Sequence, residues 1–200
     1  MKLLLFSDLH DDLAAARRLV ERAARADVVI GAGDFCNAHR GLAACLAVLR
    51  AIDKPLILVA GNNETTDELR AACRGWASAS VLHGTGATVA GVAFFGIGGG
   101  IPTTPFGAWS YDFTEEQADE LLAGCPSGCV LVSHSPPHGA ADVSSRGQSL
   151  GSVAVRRAVE RVRPALVVCG HIHGSAGVTA MLGETPVVNA GPDGVEWELG

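Results

Sequence analysis

Short apolar runs recur along the chain, and each stops abruptly at a glycine or a polar residue. Residues 2–6, 28–30, 55–60, 129–132 and 165–169 form the main series. Runs of this length, bounded by turn formers, predict strands buried on both faces. Between them lie segments with helical character. Residues 12–25, DLAAARRLVERAAR, open on an acid and carry arginines toward the end, in keeping with the helix dipole. Further helices are predicted over residues 40–51, 65–73, 114–123 and 152–162, with Thr114 as N-cap ahead of Glu115 and Glu116. Weaker strand signals cover residues 80–83, 88–90, 92–96, 178–182, 186–189 and 195–199, and Pro186 suits only a strand start. Gly91 between two of them indicates a hairpin or a bulge. Residues 98–113 and 141–150 read as loops. The alternation of strand and helix predicts an α/β fold, and no linker or repeat divides residues 1–200, so one domain is expected.

The residues at the ends of the main strands are more specific. The stops read FSDLH, GAGDF, AGNNE, VSHSPP and CGHIHG. In α/β sheets ligands bind beyond the carboxyl ends of the strands. The residues placed there are Asp8, His10, Asp34, Asn62, His134, His171 and His173: two carboxylates, one amide oxygen and four imidazoles. One metal rarely takes so many ligands, whereas two metals sharing a bridging carboxylate use them well. The side-chain period of extended chain lets Asp8 with His10, and His171 with His173, each converge on one centre. The mixed nitrogen and oxygen set favours Mn, then Fe, Zn, Co or Ni, over Ca or Mg alone.

Composition narrows the partners. The chain is 48% hydrophobic and 18% charged, with a formal net charge of −6, which argues against long duplex nucleic acid but leaves small phosphate esters open. The six cysteines are irregularly spaced and read as free thiols in a reducing, cytoplasmic setting. The N-terminal apolar run is too short for a signal segment, and no stretch suggests a membrane partner. Oligomeric state is left open.

Taken in order, Asp8-Leu9-His10, Gly33-Asp34, Gly61-Asn62-Asn63-Glu64, His134 and Gly170-His171-Ile172-His173 resemble the motifs of the calcineurin-like metallophosphoesterase superfamily, and most of all its small single-domain members. The resemblance implies a four-layer α/β/β/α sandwich of two mixed sheets flanked by helices. It implies one metal held by Asp8, His10, Asp34 and His173, and a second held by Asp34, Asn62, His134 and His171. Asp34 would bridge them together with a hydroxide, leaving a site charge of about +1 that attracts phosphate. In-line attack of that hydroxide would hydrolyse a phosphoester with no covalent enzyme intermediate.

One position departs from the pattern. The motif's usual histidine after the metal-binding Asn is here Asn63, which donates a hydrogen bond but supplies no general acid at neutral pH. That favours phosphodiesters with good leaving groups. His39, close to Asp34, and His138, just past His134, are the expected substitutes contacting substrate. Glu64 is expected to orient a ligand or Asn63 from behind, and Asn189 to support the turn beneath the site. The loop aromatics Phe106, Trp109 and Tyr111 either wall the cleft or pin the loop to the body. The alternatives to a phosphodiesterase are a phosphomonoesterase, a nuclease or cyclic-nucleotide phosphodiesterase, and a metal-binding interaction protein with little catalysis.

Overall fold

The computed structural model describes residues 1–200. The chain runs β1 (Lys2–Phe6), α1 (Leu13–Ala23), β2 (Val28–Gly31), α2 (Leu42–Leu49), β3 (Leu56–Leu58), α3 (Thr66–Ala72), β4 (Ala79–Val81), β5 (Thr85–Val89), β6 (Val92–Ile97), α4 (Glu115–Leu122), β7 (Val130–Ser133), α5 (Val153–Val162), β8 (Leu166–Cys169), β9 (Thr179–Leu182), β10 (Thr185–Asn189) and β11 (Val195–Glu198). One sheet has the order β11-β1-β2-β3-β4 and the other β5-β6-β7-β8-β10-β9. Both are mixed. β1 to β4 run parallel with β11 antiparallel at the edge, and β6, β7, β8 and β10 run parallel with β5 and β9 antiparallel at the edges.

The two faces of β1 show how four layers arise. Leu3 and Leu5 point between the sheets, where they meet Ile30, Ile57, Val132, Val168 and Val188. Leu4 and Phe6 point outward, against Ala15, Leu19, Leu46 and Leu69 of α1, α2 and α3. In the second sheet Leu131 and Val167 face Leu122, Val155 and Val159 of α4 and α5, while Val130 and Leu166 face the first sheet. Since both faces of each central strand are apolar, the strands carry no polar alternation. This is the α/β/β/α sandwich.

Local signals explain most boundaries. Asp12 caps α1, its carboxylate accepting from Ala14 N and Ala15 N at 2.9 Å. Thr65 and Thr114 each form a reciprocal capping box, with Glu68 and Gln117. α2 is shorter at both ends than the sequence pattern suggests, and at its N-terminal end Gly41 holds a left-handed conformation at the cap. Gly91 belongs to a hairpin, with Ala90 and Gly91 both at positive φ between β5 and β6. β5 begins three residues earlier than the apolar pattern indicates, since its first half is polar and sits on a sheet edge. Pro186 lies one residue inside β10, before the parallel pairing with β8 begins at Val187.

Replacing Thr114 by Ala removes the cap of α4 and is expected to lower unfolding stability by about 1 kcal/mol in urea titration. An unchanged midpoint would mean that packing alone sets that helix end.

Candidate metal centre

Every candidate ligand sits just beyond the carboxyl end of a parallel strand: Asp8 and His10 after β1, Asp34 after β2, Asn62 after β3, His134 after β7, and His171 and His173 after β8. The first three of these strands belong to one sheet and the last two to the other, so the centre closes across the sheet interface. Asp8, His10 and His173 form one group of ligand atoms within 4.8 Å of each other, and Asp34, His134 and His171 form a second. Asp34 faces both. Its Oδ2 lies 3.6 Å from His10 Nε2 and its Oδ1 lies 3.6 Å from His134 Nε2. Asn62 Oδ1 is 3.2 Å from His134 Nε2, and His173 Nε2 is 3.6 Å from Asp8 Oδ1.

The way these side chains converge differs from the strand-alternation expectation. Asp8, His10, Asp34 and His171 have φ values of 56°, 46°, 57° and 65°, so they occupy left-handed turns rather than extended chain. Such conformations are costly for residues other than glycine and are retained where the surroundings fix them. The loops after β1 and β2 brace each other through Asp8 N to Gly33 O at 2.9 Å and His10 N to Asp34 O at 3.0 Å. His171 and His173 do not share a centre as alternation suggested. The turn after Gly170 sends them to different groups, and His173 begins a single 3₁₀ turn.

Two glycines mark where carboxylates need room. A Cβ on Gly61 would stand 2.0 Å from Asp34 Oδ1, and one on Gly170 would stand 2.5 Å from Asp8 Oδ2. Glu64, fully buried, braces the same turn. Its carboxylate accepts from the backbone nitrogens of Asp34, Phe35, Cys36 and Gly61. Burial and the neighbouring Asp34 charge push it up to about 7, against the pull of the Gly61 N–H. It therefore orients the Asp34 turn, as expected, through backbone rather than through Asn63.

Hydrogen bonds fix which atoms the ligands offer. His134 Nδ1 lies 2.7 Å from the Ala32 carbonyl, which only accepts, so that nitrogen donates and Nε2 is the atom turned toward Asn62 and Asp34. Ser110 Oγ donates to Asp112 at 2.7 Å, so it accepts from Asn62 Nδ2 at 3.0 Å and turns Asn62 Oδ1 toward His134. His171 is pushed down to about 4 by burial and by His134, so it is neutral and able to ligate. Burial opposes ionisation of Asp8, but His173, His134 and Ser7 outweigh it and hold the carboxyl at about 2. The pair with Asp8 raises His173.

Asn63 is nearly buried, lines the cleft, and serves Asp34. Its backbone nitrogen donates to Asp34 Oδ1 at 2.8 Å, its Nδ2 donates to Oδ2 at 2.7 Å, and its Oδ1 accepts from Ala38 N. His39 is tied elsewhere. Its Nδ1 meets the Glu68 carboxylate at 2.9 Å and its Nε2 donates to the Trp109 carbonyl at 2.7 Å. His138 is exposed, and its backbone joins Ser152 and Arg156. Neither histidine is among the residues that line the cleft, so neither sits where a substrate contact was expected. Asn189 does support the site from below, donating to the carbonyls of Ala141, Gly170 and Ile172.

The cleft over the two groups measures about 590 Å³. The aromatic loop divides its labour. Tyr111 packs on His83 and Phe113 and donates to Thr66, which pins the loop, whereas Phe106 and Trp109 line the cleft. Sequence reasoning missed Ser110 and Asp112, whose only signal is a serine and an aspartate flanking a tyrosine in that loop. It also missed Asp142, a buried carboxylate that ties the 139–151 loop by accepting from Gly139 N and Gly151 N.

Residues 1–197 match the model of the calcineurin-like phosphoesterase superfamily domain, and the chain belongs to that superfamily. Its paired ligand groups form a dinuclear metal-binding site of the kind used for metal-dependent hydrolysis. The chain is 28% identical to the UPF0046 protein K07C11.7 of Caenorhabditis elegans, over 95% of its own length and 69% of that protein. Among solved structures, TT1561 of Thermus thermophilus superposes with a TM-score of 0.78 at 21% identity, covering 96% of this chain and 90% of that one. A dimetal phosphatase from Danio rerio gives 0.63 at 14% identity, covering 94% and 86%. At these identities the two structures share the fold. No helix is long and apolar enough to cross a membrane.

Two outcomes test this account. Replacing Glu64 by Gln turns a donor toward backbone N–H groups and is expected to cost about 2–3 kcal/mol of stability in denaturant titration; a loss below half of that would contradict the bracing role. His39 is raised by Glu68 and then by the Trp109 carbonyl. The contribution of that pair is therefore full below the ordinary histidine value of about 6.5 and is lost as pH rises through the raised folded value. It is a surface pair worth about 0.5 kcal/mol or less. The melting-temperature gap between wild type and His39→Gln is expected to shrink from about pH 6 to about pH 9, and a gap that widens would reverse the assignment.

Proposed function

We propose that residues 1–200 act as one domain that binds two divalent ions, Mn²⁺ first, and hydrolyses small phosphodiesters. The observation that supports this reading is the convergence of two groups of ligand-type atoms on either side of Asp34. Asp34 Oδ1 and Asn62 Oδ1 lie within 3.2–3.6 Å of His134 Nε2 on one side, and Asp34 Oδ2 faces His10 on the other. Carboxylate, amide and imidazole atoms gathered this closely in two groups fit two metals. Asp8, His10, Asp34 and His173 would hold one ion, and Asp34, Asn62, His134 and His171 the other. Two ions held there would supply an acidified water and charge stabilisation for a phosphoryl group.

The chain's own residues then have distinct tasks. Asn63 locks the rotamer of Asp34, so both carboxylate oxygens keep their directions. Ser110 keeps the amide oxygen of Asn62 on the ligand side. Ser7 and the His171 N–H donate to Asp8 and fix its direction. Two features favour a diester over a monoester or a polyphosphate. The cleft lining contains no Lys or Arg to balance additional phosphate charge. Asn63 stands where a protonatable group would assist a poor leaving group. All six cysteines are buried free thiols, which fits a reducing cytoplasm.

Metal-stripped protein is expected to leave bis(p-nitrophenyl) phosphate intact and to turn it over once Mn²⁺ is added. Asp34→Asn should abolish that turnover, and Asn63→Ala should lower kcat/KM about 10–100-fold by releasing Asp34. If wild-type protein that is folded and metal-loaded leaves the diester intact, a metal-binding interaction protein becomes the better reading.

A further inference from the structure

The wall of the cleft is built for something flat. Phe106 and Trp109 stack on each other at a centroid distance of 5.8 Å with 15° between their planes, yet they remain 52% and 40% exposed beside the metal groups. Large apolar side chains are ordinarily covered, and an exposed pair inside a cleft marks a binding surface. Two observations indicate that the pair is held in place. Trp109's carbonyl is gripped by His39, which is itself anchored to Glu68 at the start of α3. The same loop is fixed from behind by Asp112, which accepts from Thr104 N at 2.7 Å and from Ser110. Pro102, Pro105 and Leu150 extend the apolar surface, and no Lys or Arg interrupts it.

Resting on the phosphodiesterase reading, we infer that Phe106 and Trp109 form a specificity platform that takes a flat ring carried on the esterified phosphate. The substrate class is then a phosphodiester monoanion with an aryl or nucleobase-bearing arm. His39 is the positioning residue of the platform, acting through the Trp109 backbone and not on the phosphate. Base-type stacking on an aromatic side chain is worth about tenfold to a hundredfold in affinity.

The test compares ligands that differ only in the ring, using the full chain loaded with Mn²⁺. Diphenylphosphinate and dimethylphosphinate carry the same charge and have no ester bond to break, so calorimetric titration reads binding alone. Wild type is expected to bind the diphenyl anion about tenfold or more tighter. Trp109→Ala and Phe106→Ala should each erase most of that preference, while Trp109→Phe retains it and dimethylphosphinate affinity stays within about twofold throughout. His39→Ala should reduce the preference partway. Equal affinities in wild type, or a preference untouched by both alanine variants, would overturn the platform.

Hydrolysis is measured in parallel on phenyl and methyl p-nitrophenyl phosphate, which share a leaving group. A ring-dependent binding preference without hydrolysis of either ester keeps the platform and removes the phosphodiesterase reading. Equal hydrolysis of both esters with no binding preference does the reverse. A thymidine 5′-p-nitrophenyl phosphate arm separates the two sources of the ring. Faster turnover than the phenyl ester assigns a nucleoside, and slower turnover assigns a simple aryl ester.

Discussion

The two oxygens of Asp34 cannot both be directed correctly unless the turn after β2, the turn after β3 and the loop after β7 are all in place. One oxygen faces His10 from the same sheet, and the other faces His134 from the opposite sheet. Asn63 holds the carboxylate by backbone and side chain, Glu64 holds the backbone that carries it, and Gly61 leaves the space that it fills. The carboxylate is therefore a geometrical junction, and the surrounding polar network makes sense as the means of keeping one charged group from rotating.

The hydrophobic interior sets the accuracy of that junction. The two sheets meet over a close-packed layer from Leu3 through Val188, and ligands from both sheets approach each other at its edge. Interiors of this density deform little, so the spacing between the loops of the two sheets is inherited from the packing of Ile30, Val132 and Val168 beneath them. Side chains far from the chemistry thus tune distances in the cleft.

Much of this was legible in the chain itself. Strand ends followed at once by Asp, Asn and His gave the seven candidate ligands, and Thr114 was legible as a helix cap. The pairing of strands into two sheets was not legible from the apolar pattern, because residues such as Leu3 and Leu4 are equally apolar while facing different layers; only the resemblance carried it. Side-chain alternation alone sends His171 and His173 to one centre, whereas the motif resemblance separates them as the structure does; alternation applies to extended chain, and the backbone at His171 is left-handed. The roles of His39 and Ser110 were hidden for a related reason. Nearness in sequence to Asp34 says nothing of which way an imidazole turns, and Ser110 lies far along the chain from the Asn62 that it orients.

The left-handed backbone at Asp8, His10, Asp34 and His171 also sets a filter on what evolution can try at these positions. Asn, Asp and His tolerate that conformation, whereas a β-branched replacement is rejected by sterics before its chemistry matters. A lineage that abandons metal chemistry can therefore exchange Asp for Asn at the centre and keep its architecture, turning a catalyst into a scaffold in very few steps. An exchange for Val or Ile would have to rebuild the turn first.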